Sequence, residues 1–179
     1  MSSIVETTAL WNGSSRARRN EGQKRHMKIL DYLDETWLIP ELEATDKEAV
    51  LRELATVLVQ PSGAHSVEEI LSVLLEREKL ESTGIGEGVA IPHGRFKGLG
   101  RFFISFGRSS KGVDFDSIDR KPTKLIFLVM APENSAASNL KLLGRIVTLL
   151  KDASFKKRLM EAASRRELFE IIAEEDRRY

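Results

Sequence analysis

The chain has 179 residues, of which 41% are hydrophobic and 31% charged, and its formal net charge is +1. These values fit a single soluble globular domain and give no electrostatic reason to expect a nucleic-acid partner. The absence of cysteine excludes disulfides, thiolate chemistry and cysteine-ligated metals. No apolar run approaches the ~20 residues that cross a bilayer, and no signal-peptide core is present, so we predict a cytoplasmic protein without membrane insertion.

The first 26 residues show no sustained hydrophobic periodicity and are rich in Ser, Asn, Gly and Arg. We predict that residues 1–26 form a flexible extension, either a native tail, a leader or the product of an upstream start, with Met27 as an alternative first residue. Its basic side chains could contact RNA or an anionic lipid, but a solvated tail is the simpler interpretation. Residues 27–179 are predicted to form the folded domain.

The first third of the predicted domain combines helical patterns with one edge strand, residues 37–42, which Pro40 interrupts. Two capping boxes predict helix starts, because a hydroxyl and a carboxylate three residues later can satisfy free backbone N–H groups. The two boxes are Thr45 with Glu48 and Ser66 with Glu69. The first helix is predicted to end at the Pro-Ser-Gly sequence of residues 61–63, and the second near Leu80.

Glycine is concentrated in the middle of the chain, where eight of the twelve glycines lie between Gly84 and Gly112. Residues 83–94 read T-G-I-G-E-G-V-A-I-P-H-G. Alternate glycines allow positive φ or close approach of a ligand, and free N–H groups in such a turn can form an anion-binding nest. Residues 89–91 predict a short buried strand that Pro92 ends. The strand would then hold His93 at a fixed place on the surface.

Strands and then helices complete the predicted domain. Residues 101–109 predict a strand, followed by a turn at Lys111 and Gly112. The continuous apolar run 125–130 predicts a central strand covered on both faces. Three helices follow, and a third capping box of Ser164 with Glu167 predicts the start of the last. This order of elements predicts an α/β fold with a mixed sheet between helices.

Three nucleotide-binding motifs are excluded, either by the spacing of their residues or because a required residue is missing. The dinucleotide fingerprint requires G-x-G-x-x-G before a helix, whereas here G-x-G-x-G precedes a strand. The sequence Val89-Ala90-Ile91 resembles the kinase V-A-I-K, but Pro92 stands where the lysine is required. No Walker A sequence occurs. The three histidines lie far apart in sequence, so a zinc site would need carboxylates at most positions, and we predict neither a metal nor another cofactor.

His93 is the candidate reactive group. A histidine with an ordinary pKa near 6.5 is mostly neutral at pH 7, so its imidazole can act as a nucleophile. Arg77 and Arg95, with the hydroxyls of Ser82 and Thr83, are near enough in sequence to contact a phosphate, although each arginine alone could be an ordinary surface charge. A neutral histidine beside guanidinium donors suits phosphoryl transfer, where the protein supplies positioning and charge stabilisation.

The sequence from Arg77 to Gly94, R-E-K-L-E-S-T-G-I-G-E-G-V-A-I-P-H-G, resembles the active-site signature of enzyme IIA domains of the fructose/mannitol class. These are components of the bacterial phosphoenolpyruvate-dependent phosphotransferase system. The resemblance extends from about Met27 to the C-terminus and is greatest for the stand-alone nitrogen-regulatory members. It implies a mixed five-stranded sheet flanked by helices on both faces. It also implies that His93 accepts a phosphoryl group from phospho-HPr or its nitrogen-branch counterpart, with Arg77 beside that group. The candidate phosphate-binding residues are Ser82, Thr83, Gly94, Arg95 and Asn139.

The resemblance leaves the route of the phosphoryl group open. Members of the family often have a second histidine where this chain has Asn139, and an amide can donate a hydrogen bond to phosphate but cannot become cationic. We therefore expect a phosphocarrier, a phosphotransferase in the broad sense, that signals the state of the phosphotransferase system. The alternatives are a phosphorylation-switched interaction protein without onward transfer, a sugar-transport IIA that passes phosphate to a IIB partner, and a binding module that no longer accepts phosphate.

Overall fold

The computed structural model describes residues 27–179, so the predicted extension lies outside the described residues. Within residues 27–179, one 3-10 turn, Ile29–Asp31, precedes six strands and six helices. The strands are β1 Leu33–Ile39, β2 Gly84–Gly86, β3 Val89–Ala90, β4 His93–Phe96, β5 Phe103–Val113 and β6 Thr123–Pro132. The helices are α1 Lys47–Thr56, α2 Val59–Ser62, α3 Val67–Glu78, α4 Ala136–Leu150, α5 Ala153–Glu161 and α6 Arg165–Arg178.

The sheet is mixed and has the order β1-β5-β6-β3-β2, with β4 also paired to β6. β3 pairs with residues 125–126 of β6 and β4 with residues 129–132, both in parallel. These two strands therefore lie end to end along the same edge of β6. Pro92 separates them, because a residue without an N–H cannot continue the ladder. The five strand positions that were predicted are present, and they hold six strands because β3 and β4 share one position.

Helices cover both faces of the sheet, as the sequence predicted. Helices α1 and α3 pack on one face, and α4, α5 and α6 pack on the other. Strand β6 contributes to both cores, since Phe127 and Val129 face one and Ile126 and Leu128 face the other. Its near-continuous apolar sequence follows from burial on both faces, which confirms the predicted central strand.

Two of the three predicted helix starts are confirmed. The Ser66 hydroxyl accepts a hydrogen bond from the Glu69 N–H at 3.2 Å, and Ser164 accepts one from Glu167 at 3.1 Å. The Thr45 prediction is wrong by one residue, because Asp46 is the cap and its carboxylate accepts from the Ala49 N–H at 3.0 Å. Thr45 instead accepts a backbone hydrogen bond from the Asp114 N–H.

Three predicted boundaries differ from the structure. Helix α1 ends at Thr56, before the predicted Pro-Ser-Gly sequence. The separate short helix α2, Val59–Ser62, follows it and ends at Gly63, which has a φ of 75°. Residues 111 and 112 lie within β5 and do not form a turn, because a shift in the pairing register between Arg108 and Val113 accommodates them as a bulge. The predicted strand of residues 37–42 corresponds to the edge strand β1, but β1 begins earlier, at Leu33, and ends before Pro40, where a missing N–H ends the pairing.

Candidate functional site

The break between β3 and β4 holds the His93 side chain in place. Pro92 accepts a hydrogen bond from the Val129 N–H at 2.9 Å, and His93 then begins β4 opposite Val129. The Nδ1 atom of His93 lies 2.8 Å from the carbonyl oxygen of Ile91. A carbonyl only accepts hydrogen bonds, so Nδ1 carries the proton and the lone pair of the neutral ring is on Nε2.

The surroundings of His93 favour its neutral form. Burial lowers the pKa of the half-buried imidazole below 6.5, and the positive charge of Arg77 lowers it further. The hydrogen bond to Ile91 and the negative charge of Glu78 act in the opposite direction and offset part of this shift. At neutral pH the ring is therefore uncharged, as a nucleophile must be.

Two cavities meet at His93, and Arg77, His93 and Leu143 line both. The hairpin cavity, of about 460 Å³, lies beside the β2–β3 hairpin and includes Ser82 and Thr83. The interhelix cavity, of about 1020 Å³, lies between α3 and the start of α4. Its lining includes Gly94, Arg95 and Asn139. The fold thus brings all the residues singled out from the sequence to one surface.

Arg77 and Arg95 approach this surface from different elements. Arg77 lies in the last turn of α3, where its Nη1 donates to the carbonyl of Glu81 at 3.0 Å. Arg95 is two residues beyond His93 on β4, so both side chains lie on the same face of that strand. Neither arginine forms an ion pair with any other residue in the described range 27–179. Both guanidinium groups are therefore available to an anionic ligand.

The hydroxyls of Ser82 and Thr83 donate their protons within the protein. Ser82 donates to the carbonyl of Phe115 at 3.0 Å. Thr83, which is only 5% exposed, donates through its hydroxyl and its N–H to the carboxylate of Glu78. Both residues line the hairpin cavity, but their hydroxyl protons are not free for a phosphate. Their expected role as direct phosphate ligands therefore has no support in the hydrogen bonding.

The glycines of the signature allow close packing, and two of the N–H groups in this turn are already used within the protein. The N–H groups of Gly86 and Glu87 donate to side chains of the facing segment, Ser117 Oγ at 3.1 Å and Asp119 Oδ2 at 2.9 Å. A Cβ atom on Gly84 would lie 2.8 Å from the Cα of Ser117. Gly94 is similarly enclosed, and a Cβ atom there would lie 2.9 Å from Cγ1 of Val73 on α3.

Asn139 lies in the first turn of α4, where its N–H donates to the carbonyl of Ser135 at 2.7 Å. Its side-chain Oδ1 is buried and has no hydrogen-bond partner among residues 27–179. The amide lines the interhelix cavity together with His93 and Arg95. It is therefore placed where it could contact a group bound to the histidine.

Sequence reasoning missed two features of the site. The first is a buried ion pair between Lys47 on α1 and Glu78, at 3.2 Å. Glu78 adjoins Arg77 in the signature and could have been considered, but nothing in the sequence indicated Lys47. The second is an apolar rim around His93, four large side chains that are 46% to 82% exposed: Leu80, Ile85, Ile118 and Leu140.

Within residues 27–179, no group of three or more histidine and acidic side chains is arranged to hold a metal ion. None of the helices in this part of the chain is long and apolar enough to cross a membrane.

Comparison with known proteins gives consistent matches over this domain. The family model described as "Phosphoenolpyruvate-dependent sugar phosphotransferase system, EIIA 2" matches residues 31–175. A nitrogen regulatory protein of Bradyrhizobium diazoefficiens is 37% identical over 147 residues, which cover 82% of this chain and 95% of that protein. The fructose-specific EIIABC component of Bacillus subtilis is 36% identical, over 84% of this chain but only 24% of that protein.

A solved structure agrees with these matches. The crystal structure of the nitrogen regulatory protein IIA-Ntr from Neisseria meningitidis superposes with a TM-score of 0.75 and 33% identity. The superposition covers 79% of this chain and 97% of that chain. The resemblance inferred from the signature is therefore confirmed, and the chain belongs to the EIIA 2 family of the phosphoenolpyruvate-dependent sugar phosphotransferase system.

Proposed function

We propose that this protein is a cytoplasmic phosphocarrier that accepts a phosphoryl group on Nε2 of His93 and signals the state of the phosphotransferase system. The phosphoryl donor is phospho-HPr or its nitrogen-branch counterpart. The observation that carries the proposal is the hydrogen bond from Nδ1 to the Ile91 carbonyl, which leaves the lone pair on Nε2. The ring combines a neutral charge with a fixed orientation, and both are required of a nucleophile.

In the proposed step, Nε2 attacks the phosphorus atom of the donor's phosphohistidine. A new N–P bond forms at His93 while the donor's N–P bond breaks, and the electron pair of that bond returns to the donor imidazole. Arg77 donates hydrogen bonds to the oxygens of the transferring group, and Arg95 and Asn139 contact the phosphoryl group from the interhelix cavity. Such preorganised donors stabilise the transition state because they require no reorganisation. The step uses no metal and no nucleotide.

The apolar rim supports a protein donor rather than a small molecule. Leu80 and Ile118 are 82% and 77% exposed, and although one exposed apolar side chain is common, a group of them around one site is informative. Together with Ile85 and Leu140 they surround His93 on both of its cavities. Exposed apolar groups around a reactive residue are typical of a surface that another protein covers. HPr-type phosphocarriers are the partners we expect there.

The relatives favour regulation over sugar transport. The Bradyrhizobium protein and the Neisseria structure are both described as nitrogen regulatory proteins. The Bacillus relative is a fructose-specific EIIABC component, so transfer to a IIB domain is the second candidate function. A regulatory protein could also use phosphorylation only as a switch between target proteins, without onward transfer.

The test is incubation with phosphoenolpyruvate, enzyme I and HPr or its paralogue, followed by mass spectrometry at neutral and acid pH. We expect one phosphoryl group on the wild type that is lost in acid, because a phosphoramidate is acid-labile. His93→Ala should remain folded but gain no phosphoryl group. His65→Ala, which changes an exposed histidine outside the site, should be fully phosphorylated. Full labelling of His93→Ala would refute the assignment.

A second incubation separates the candidate functions. The phosphorylated protein is mixed with purified IIB domains of the fructose and mannitol classes, and loss of its phosphoryl group is followed over time. Transfer to a IIB domain at the rate of acceptance from HPr would establish the transport function. Retention of the phosphoryl group in the presence of IIB is the result that regulation predicts.

A further inference from the structure

A continuous set of hydrogen bonds links the end of α3 to the ring of His93. Glu78, the last residue of α3, has a side chain that is only 5% exposed. Its carboxylate forms an ion pair with Lys47 Nζ at 3.2 Å and accepts the N–H of Thr83 at 3.2 Å. The Thr83 hydroxyl also donates to this carboxylate. Three donors therefore converge on this one buried carboxylate. A carboxylate that is buried to this extent needs such partners, because an unpaired charge is costly to remove from water.

Thr83 extends this set of hydrogen bonds to the histidine. Its carbonyl accepts the N–H of Ile91 at 3.0 Å, and the carbonyl of Ile91 accepts Nδ1–H of His93 at 2.8 Å. Thr83 and Ile91 are 5% and 4% exposed, so water does not compete for these groups. The position of the Ile91 peptide, and with it the acceptor of the Nδ1 proton, depends on where Thr83 is held.

We propose that Glu78 and Thr83 are positioning residues that fix His93 as its Nδ1–H tautomer through the Ile91 peptide. A neutral imidazole has two tautomers, and the one present is set by the partner of the ring nitrogen that does not react. A displaced Ile91 carbonyl would release Nδ1, and part of the population would then carry the proton on Nε2. That population has no lone pair at the reacting atom. The expected loss of phosphoryl-transfer rate rests on the proposed function, whereas the effect on the tautomer of His93 does not depend on that function.

The arrangement gives Thr83 a different role from the phosphate contact expected from the sequence. A direct phosphate ligand would need a free hydroxyl proton, and that of Thr83 is donated to Glu78. Lys47 is the ion-pair partner of the buried Glu78, and it also lies 3.0 Å from Asp116 on the facing segment. Lys47 thus connects α1 to the end of α3 and to the facing segment, next to the residues that hold the Ile91 peptide.

The test compares Thr83→Val, which removes the hydroxyl, with Thr83→Ser, which keeps it. The tautomer of His93 is read in the unphosphorylated proteins from the ¹⁵N shifts of the two ring nitrogens. We expect only Nδ1–H in the wild type and in Thr83→Ser, and a mixture of both tautomers in Thr83→Val. In the phosphorylation assay, Thr83→Val should lower kcat roughly 10-fold with KM for the donor nearly unchanged, because a small misplacement of a reacting group is costly.

Ser105→Ala is the matched control, because the Ser105 hydroxyl is also fully buried and donates to the Leu54 carbonyl at 2.9 Å, away from the site. It should lower thermal stability but leave the His93 tautomer and kcat unchanged. An unaltered tautomer in Thr83→Val, or an equal change in Ser105→Ala, would overturn the proposal.

If Thr83→Val does not fold, Glu78→Gln decides the question with the same two readouts. An amide keeps the shape of the side chain but has one acceptor oxygen for the three donors that the carboxylate receives, so a mixture of tautomers is again expected. A wild-type tautomer in folded Glu78→Gln would also overturn the proposal. Failure of the wild type to accept phosphate would refute the proposed function alone, since the tautomer is measured without it.

Discussion

The protonation of His93 is governed by its surroundings. Burial, followed by the charge of Arg77, lowers its pKa below 6.5, the ordinary value for histidine. We expect a titration of the ring protons by NMR to give a midpoint below that value. The unfolded chain then binds this proton more tightly than the folded protein, so the contribution of His93 to stability falls as pH decreases from about 6.5 through the folded pKa. A midpoint at or above the ordinary value would contradict this explanation.

Arg77 is expected to act on the rate of transfer more than on binding of the donor. Arg77→Ala should lower kcat by about 10²-fold, the effect of losing one preorganised donor to the transition state. Arg77→Lys should recover only part of the loss, since a point charge cannot replace the planar fork of a guanidinium. The rates at which the two variants are phosphorylated at a saturating concentration of donor measure both the loss and the partial recovery. A wild-type rate for Arg77→Lys would exclude bidentate contact with the phosphoryl group.

Asn139 supplies an uncharged donor where a histidine would supply a titratable one. Asn139→His should stabilise the phosphorylated form by roughly 1 kcal/mol, because a charge-assisted hydrogen bond replaces a neutral one. A nearby phosphoryl group favours the imidazolium, so the gain should fade as the ring deprotonates above neutral pH. The phosphoryl-exchange equilibrium with HPr, measured from about pH 6 to about pH 8.5, tests this. Identical equilibria for variant and wild type would place residue 139 away from the phosphoryl group.

At the scale of elements, the contact between α3 and β4 sets the distance between Arg77 and His93. Gly94 permits this contact, since a Cβ atom there would lie 2.9 Å from Val73 and 3.2 Å from Phe96. Gly94→Ala should lower the free energy of unfolding by about 1–3 kcal/mol, the usual cost of overpacking, and should also slow phosphoryl transfer. Urea denaturation and the labelling assay measure the two effects.

Gly144→Ala is the matched control for the glycine substitution. Gly144 lies inside α4, and a Cβ atom there would have nothing within 4 Å. The alanine should raise stability by roughly 0.5–1 kcal/mol through its greater helix propensity, without an effect on transfer. A similar loss of stability in both variants would show that packing between α3 and β4 is not what requires Gly94.

At the scale of the whole molecule, Asp176 joins the C-terminal helix to the rest of the domain. Its fully buried carboxylate accepts Arg145 Nε of α4 at 2.6 Å and the N–H of Leu30 at 3.0 Å. Asp176→Ala should lower the free energy of unfolding by about 3–5 kcal/mol, because it leaves Arg145 buried without a counter-ion. Urea denaturation provides the measurement.

A surface ion pair serves as the control for Asp176. Glu161 lies 3.8 Å from Lys157, and their side chains are 64% and 74% exposed. Glu161→Gln should change stability by less than about 1 kcal/mol, as is usual for exposed pairs. If Asp176→Ala were equally mild, the buried contact would not be what holds α6 against α4.

Several features could be predicted because they depend on residues close together in the chain. The caps at Ser66 and Ser164 involve groups three residues apart, and the burial of β6 on both faces follows from its own apolar run. The signature around His93 identified the family for the same reason, and it gave His93 as the candidate reactive residue. The Thr45 cap was wrong by one residue because the segment before α1 pairs with Asp114, far along the chain, and Asp46 is the residue that begins the helix.

The family, the mixed sheet between helices and the candidate nucleophile could be inferred from the amino-acid sequence, since periodicity, capping and the signature are local properties. Which hydroxyls remain free depends on tertiary packing, because the proton of Ser82 is donated to Phe115 across a contact between distant segments. The tertiary structure also pairs Lys47 with Glu78 of the signature and places Asn139 in the lining of the same cavity as His93. Hydrogen-bond partners separated by many residues are fixed by how elements pack, and no short pattern of residues contains that information.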